Sequence, residues 1–76
     1  MKRNDLKKQL KEMSDSELRI LFEKAELECE EKWLLKYYIK DKMVQNTCRK
    51  LSISESTYHR MLPIALLKIH YTLKFN

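Results

Sequence analysis

No glycine occurs anywhere in this 76-residue chain, and its one proline is Pro63. Tight hairpin turns draw on residues that tolerate a left-handed backbone, glycine above all, so a sheet joined by short turns is a poor fit. Lys, Glu, Leu and Ile dominate instead, and all are compatible with helix. The expected fold is all-α, a small helical bundle of four to five helices that contains a helix-turn-helix. A chain of 76 residues has room for one core and so for a single domain. A core that small is only marginally stable alone, and self-association would help it.

Apolar spacing divides the chain. Residues 1–13 predict a short basic helix with Leu6, Leu10 and Met13 on one face and Asn4 or Asp5 as its cap. Residues 14–40 predict an amphipathic helix, acidic at its start and aromatic at its end. Ser14 and Glu17 fit a capping box there, and Met13 with Leu18 fits a hydrophobic staple. Leu18, Leu21, Phe22, Ala25, Cys29 and Trp33 then share one face at helical spacing. This stretch is one long helix or a pair with a bend near Glu30. Trp33, Leu34, Tyr37 and Tyr38 thicken the apolar surface at its end. Core packing is the expected role for these four, with base stacking by Tyr37 or Tyr38 as the alternative.

Residues 43–62 predict the helix-turn-helix. Lys40-Asp41-Lys42 breaks the preceding pattern, and Asp41 is the expected cap of the next helix. Val44, Thr47, Cys48 and Leu51 line up at helical spacing, and Ser52 and Ile53 make the corner. Two helices that cross closely need a small residue at the crossing, which Cys48 supplies. Ser52 stands where many such corners carry glycine. Ser54 caps the second helix with Thr57 in its first turn, while Tyr58, Met61 and Leu62 face inward. Pro63 is expected to kink this helix or to start a new one, giving a C-terminal helix over residues 63–75. Apolar residues lie on most faces of that last segment. It closes the core or forms half of a dimer contact.

Charge is unevenly spread. Residues 1–12 carry five basic residues against two acidic, residues 13–31 two against seven, and residues 32–76 nine against two. The segments therefore sum to +3, −5 and +7. A polyanion is drawn to the last segment, which holds the helix-turn-helix, and repelled by the acidic middle. The plainer reading of these charges is a solvated surface. Double-stranded DNA is nonetheless the leading expected partner, read in the major groove by the helix starting at Ser54.

Ser54, Glu55, Ser56, His59 and Arg60 point outward from the second helix. Arg60 can hold guanine O6 and N7 with two hydrogen bonds or hold a phosphate; His59 can donate to a base or a phosphate; Glu55 can accept from cytosine N4. Ser54 and Ser56 suit phosphate contacts. Lys42, Arg49 and Lys50 flank the first helix as backbone clamps.

The run Leu51-Ser-Ile-Ser-Glu-Ser-Thr-Tyr-His-Arg-Met-Leu-Pro-Ile-Ala-Leu-Leu resembles the C-terminal helix-turn-helix of ArpU-type regulators from phages of Gram-positive bacteria. That family is in turn similar to region four of sigma factors. Ile53-Ser54, Thr57-Tyr58, Arg60 and Ala65-Leu66 carry the likeness, and Leu34 to Ile39 resembles the Leu-rich helix that precedes the motif in sigma-like domains. The likeness spans residues 33–75. It implies transcription regulation by a phage or prophage protein in the cytoplasm of a bacterial host, with a contact to RNA polymerase as a further implication.

Other classes fit less well. A protein-binding adaptor or inhibitor is the main alternative, with the helix-turn-helix as scaffold and the acidic helix as the face for RNA polymerase or another protein. No enzyme activity and no cofactor is expected, because a chain without glycine has no Gly-rich phosphate loop. Cys29, Cys48, His59 and His70 have no metal-ligand spacing, so no metal is expected. Cys29 and Cys48 read as free thiols of a reducing compartment. The opening residues show no signal-peptide pattern, and no apolar run suggests a membrane partner.

Overall fold

A computed structural model of the chain describes residues 3–75. Five helices follow one another: α1 (Arg3–Lys11), α2 (Asp15–Lys24), α3 (Cys29–Ile39), α4 (Val44–Leu51) and α5 (Glu55–Phe75). No strand forms among the described residues, so the fold is an all-α bundle. The helices enclose a body of 33 × 22 × 19 Å. α3 and α5 form its central pair, and α1, α2 and α4 pack around them.

The core is built from the periodic apolar positions of every helix. Leu10, Leu34, Leu35, Ala65, Leu66 and Ile69 are fully buried, with Leu6, Leu21, Phe22, Leu27, Ile39, Tyr58 and Leu62 close behind. Thr47 is buried among them, and its hydroxyl donates to the Met43 carbonyl at 3.2 Å. The capping box at Ser14 forms in both directions: the Glu17 N–H donates to the Ser14 hydroxyl, and the Ser14 N–H donates to the Glu17 carboxylate, each at 3.2 Å.

Three helices end in the same way without glycine. Glu26, Asp41 and Ser52 adopt left-handed backbones, with φ of 55°, 58° and 55°. After each, the next residue donates its N–H back five positions: Leu27 to Phe22, Lys42 to Tyr37 and Ile53 to Cys48. This closure satisfies carbonyls that the last helical turn leaves open. A residue with a Cβ is disfavoured in that conformation by about 1–2 kcal/mol, so all three corners store strain.

The corner at Glu26 settles the 14–40 segment as two helices, broken at residues 25–28, ahead of the expected bend at Glu30. The break resets the helical phase. Cys29 and Trp33, expected on the buried face, are therefore exposed, Trp33 by 45%. Leu27, Leu34, Leu35 and Ile39 take the inward positions instead. Tyr37 and Tyr38 are half-buried.

Three further expectations are corrected. Asn4 and Asp5 lie inside the first turn of α1, which begins at Arg3, so neither precedes it as a cap. Asp41 does not cap α4, because Met43 holds that position with an extended backbone. The Asp41 carboxylate instead binds Lys11 and Lys7, tying α1 to the corner between α3 and α4. Of the two outcomes expected at Pro63, a new helix does not start there, since α5 runs unbroken from Glu55 to Phe75. The buried residues Leu62, Ala65, Leu66 and Ile69 on both sides of Pro63 hold the helix against the core. That packing outweighs the missing N–H.

A buried carboxylate locks the central pair. Glu31 Oε1 accepts from the Glu28 N–H at 3.0 Å, closing the start of α3, and from Lys68 Nζ of α5 at 2.9 Å.

Candidate nucleic-acid interface

The helix-turn-helix forms at the expected residues. α4 ends at Leu51, Ser52 turns the chain through the left-handed region, and Ser54 opens α5. The Thr57 N–H donates to the Ser54 hydroxyl at 3.1 Å, and the two hydroxyls lie 3.0 Å apart. Ser54 is thus committed to capping, although it remains exposed. Cys48 is buried at the crossing, with Leu51, Ile53 and Met61 partly buried against the core. Burial pushes the Cys48 thiol above its usual pKa, and the nearby Glu55 carboxylate adds to the shift.

All eight residues singled out in the sequence reach the surface, in two groups. Glu55, Ser56, His59 and Arg60 occupy the exposed side of the first turns of α5, just after Ser54. The His59 ring stands edge-on to Tyr58, with centroids 5.3 Å apart. Tyr58 is buried, so this contact braces an exposed imidazole on a fixed ring.

Lys42, Arg49 and Lys50 come together around a cleft of about 290 Å³, which Tyr37, Asn46 and Thr47 complete. Among the described residues, no carboxylate lines it. Three cations with a phenol and an amide, free of acidic neighbours in the lining, suit an anion with several acceptor oxygens. Lys50 Nζ lies 5.7 Å from the centre of the Tyr37 ring, which helps to order that side chain. None of the α5 residues lines this cleft.

Tyr37 and Asn46 are the additions the structure makes to this group. The signal for Asn46 was readable, because positions 42, 46 and 50 follow the four-residue spacing of one helix face. Tyr37 comes from α3, and only the packing of α3 on α4 brings it there.

Next to Tyr37 on α3, Trp33 stacks at 6.0 Å, and Lys36 Nζ sits 4.7 Å from the Trp33 ring centre. Trp33 also borders a larger cleft of about 690 Å³ between α1, α2 and α3. That cleft has an apolar floor of Leu10, Leu18 and Phe22, and none of the eight predicted residues lines it. Among the described residues, no three His, Cys, Asp or Glu side chains gather where a metal ion could sit. No helix among the described residues is long and apolar enough to cross a membrane. Compared with family models, curated proteins and solved structures, the chain matches none.

Proposed function

We propose that this chain is a sequence-specific DNA-binding regulator without chemistry of its own. In this reading the outward first turns of α5 enter the major groove, where Arg60 and His59 meet base edges or phosphates. Lys42, Arg49 and Lys50, with Tyr37 and Asn46, grip the phosphate backbone beside them. The observation that carries the reading is the acid-free cationic cleft on the helix that leads into the helix-turn-helix corner. A solvated charge pattern has no need to exclude carboxylates from a concave lining. The likeness to ArpU-type regulators adds transcription control by a phage or prophage protein inside a bacterial host, and a sigma-like contact to RNA polymerase.

Gel retardation with random and genomic fragments tests the proposal. Retardation at low salt that fades steeply as salt rises is expected, since phosphate contacts release counterions. Replacing Lys42, Arg49 or Lys50 by Ala should each lower the salt slope by about one and weaken all sequences alike. Replacing His59 and Arg60 together by Ala should abolish specific binding and leave the helical circular dichroism unchanged. Absence of retardation at low salt overturns the reading.

A second reading rests on the larger cleft. An apolar floor bordered by an exposed Trp33, by the cations Lys11, Arg19, Lys32, Lys36 and Lys40 and by the carboxylates Asp15, Glu23 and Asp41 fits an apolar protein segment with charged flanks of both signs. In that case the chain is an adaptor or inhibitor, and the helix-turn-helix serves as scaffold. Binding that is insensitive to His59→Ala and Arg60→Ala but lost in Trp33→Ala would favour it.

A further inference from the structure

The exposed surface of α5 changes character at Pro63. Before it stand Ser56, His59 and Arg60; after it come Ile64, Leu67, Tyr71 and Phe75, exposed by 49%, 44%, 51% and 71%. Their spacing of three, four and four residues places them within an arc of about 80° on one helix face. The buried residues Leu62, Ala65, Leu66 and Ile69 lie on the opposite side. α5 therefore carries two apolar faces, one in the core and one uncovered.

We propose that a second copy of this chain covers the uncovered face, with the two α5 helices antiparallel and centred between Ile69 and His70. Charge selects that orientation. α5 has no acidic residue after Glu55, and Arg60 and Lys74 flank the apolar run. A parallel pair sets each of these cations against its own copy and aligns the two helix dipoles. In the antiparallel register Ile64 meets Phe75 of the second copy, Leu67 lies beside the second Tyr71, and Lys74, whose ammonium lies 5.6 Å from the centre of the Phe75 ring, is kept away from its own copy. Arg60 extends beyond the contact. Lys68, nearest the centre, is already engaged by Glu31 at 2.9 Å.

Area sets the strength. Four side chains at this exposure present roughly 400 Å² of apolar surface per copy. Pairing therefore removes at most about 800 Å² of this surface from water, below the roughly 1,200–2,000 Å² of standard specific interfaces and in the range of weak, transient contacts. The pair is weak and forms as concentration rises.

The pairing also deepens the DNA reading and, in this part, rests on it. At 100° per residue, Glu55, Ser56, His59 and Arg60 centre about 90° round the helix from the apolar stripe. In an antiparallel pair both of these sets then point the same way along the two-fold axis. Twelve residues separate the first turns of α5 from the centre of the pair, about 18 Å at 1.5 Å per residue. The two reading ends therefore stand about 36 Å apart, close to one turn of B-form DNA.

Sedimentation equilibrium of the full chain without DNA tests the pairing. The expected mass rises from one chain toward two between about 1 μM and 1 mM. Leu67→Glu and Tyr71→Glu, both at exposed positions, should each weaken pairing at least about tenfold while the helical signal stays unchanged. A monomer at all concentrations, or a dimer indifferent to both variants, overturns the inference. Orientation is read by oxidative cross-linking in a Cys29→Ser background. Chains carrying Ile64→Cys should link to chains carrying Phe75→Cys. Preferential linking of Ile64→Cys chains to each other means a parallel pair and overturns the register. A monomer that still binds DNA defeats this inference alone, and a dimer that ignores DNA defeats the DNA reading alone.

Discussion

Glu31 and Lys68 join the start of α3 to the middle of α5 through a carboxylate that is itself buried. The same oxygen takes the Glu28 N–H, so it caps the start of one helix and fastens another. Burying a carboxylate is unfavourable unless its partners are retained, so removing either partner leaves the other exposed to that cost.

Glu31→Ala should therefore destabilise the fold by about 2–3 kcal/mol in urea unfolding. Lys68→Met should cost at least as much, about 2–3 kcal/mol, because it leaves the buried Glu31 carboxylate without its cation. The double variant should cost less than the two together, by about 0.5–2 kcal/mol. Strict additivity would mean that the pair contributes no coupling.

Asp41 gives a pH signature. Hydrogen bonds from Lys11 and then Lys7 lower its pKa to about 2. The same contact, led by the hydrogen bond to Asp41, raises the pKa of Lys7. A depressed carboxylate contributes stability above its unfolded pKa of about 4 and loses it as pH falls through the folded value. The docking of α1 should thus be insensitive to Asp41 from pH 7 to about 4 and weaken between about 4 and 2. Carboxyl NMR titration should place the Asp41 midpoint near 2, and Asp41→Asn should remove this part of the acid dependence. Because the site is exposed, high salt should move the midpoint back toward the ordinary range.

Ser52 holds φ at 55° with a Cβ in place. Ser52→Gly relieves about 1–2 kcal/mol of left-handed strain and returns part of it as extra unfolded-state entropy. The net expectation is a gain of about 0.5–1 kcal/mol. Ser52→Val should lower stability. Denaturant midpoints distinguish the two directions, and equal midpoints would show that the corner is unstrained.

Pro63 lies inside α5, where it cannot donate to the His59 carbonyl. Pro63→Ala restores that hydrogen bond, and the gain should be about 1–2 kcal/mol after allowing for the stiffer unfolded chain that proline provides. Thermal unfolding reads it directly. A lower melting temperature would show that the ring's packing matters more than the bond.

Much of this architecture was legible in the residues, and its failures have a common cause. The capping chemistry of Ser14 and Ser54 is local and forms as read. The helix-turn-helix corner was readable because apolar spacing on both sides constrains it. The corner at Glu26 was invisible, since neither Gly nor Pro marks it, and a continued helical phase then sent Cys29 and Trp33 inward. Asp41 looked like a cap because only its neighbours in sequence could be seen, whereas its partners Lys7 and Lys11 arrive from α1. Pro63 was a place for a new helix to start, and packing on both sides carries α5 through it instead. At the candidate interface, Lys42, Arg49 and Lys50 were readable as surface cations. Their meeting with Tyr37 depends on how α3 and α4 cross.

The corners at Glu26, Asp41 and Ser52 leave the chain almost no slack. Each of these three connections turns on one left-handed residue and is closed by its own hydrogen bond, so none of the three is free to absorb extra length. A residue inserted after Ser52 must be taken up by rotating α5, about 100° for each position. That rotation would carry Leu62, Ala65, Leu66 and Ile69 away from the core and bring charged neighbours toward it. Extra length at any of these three corners therefore costs the core its packing.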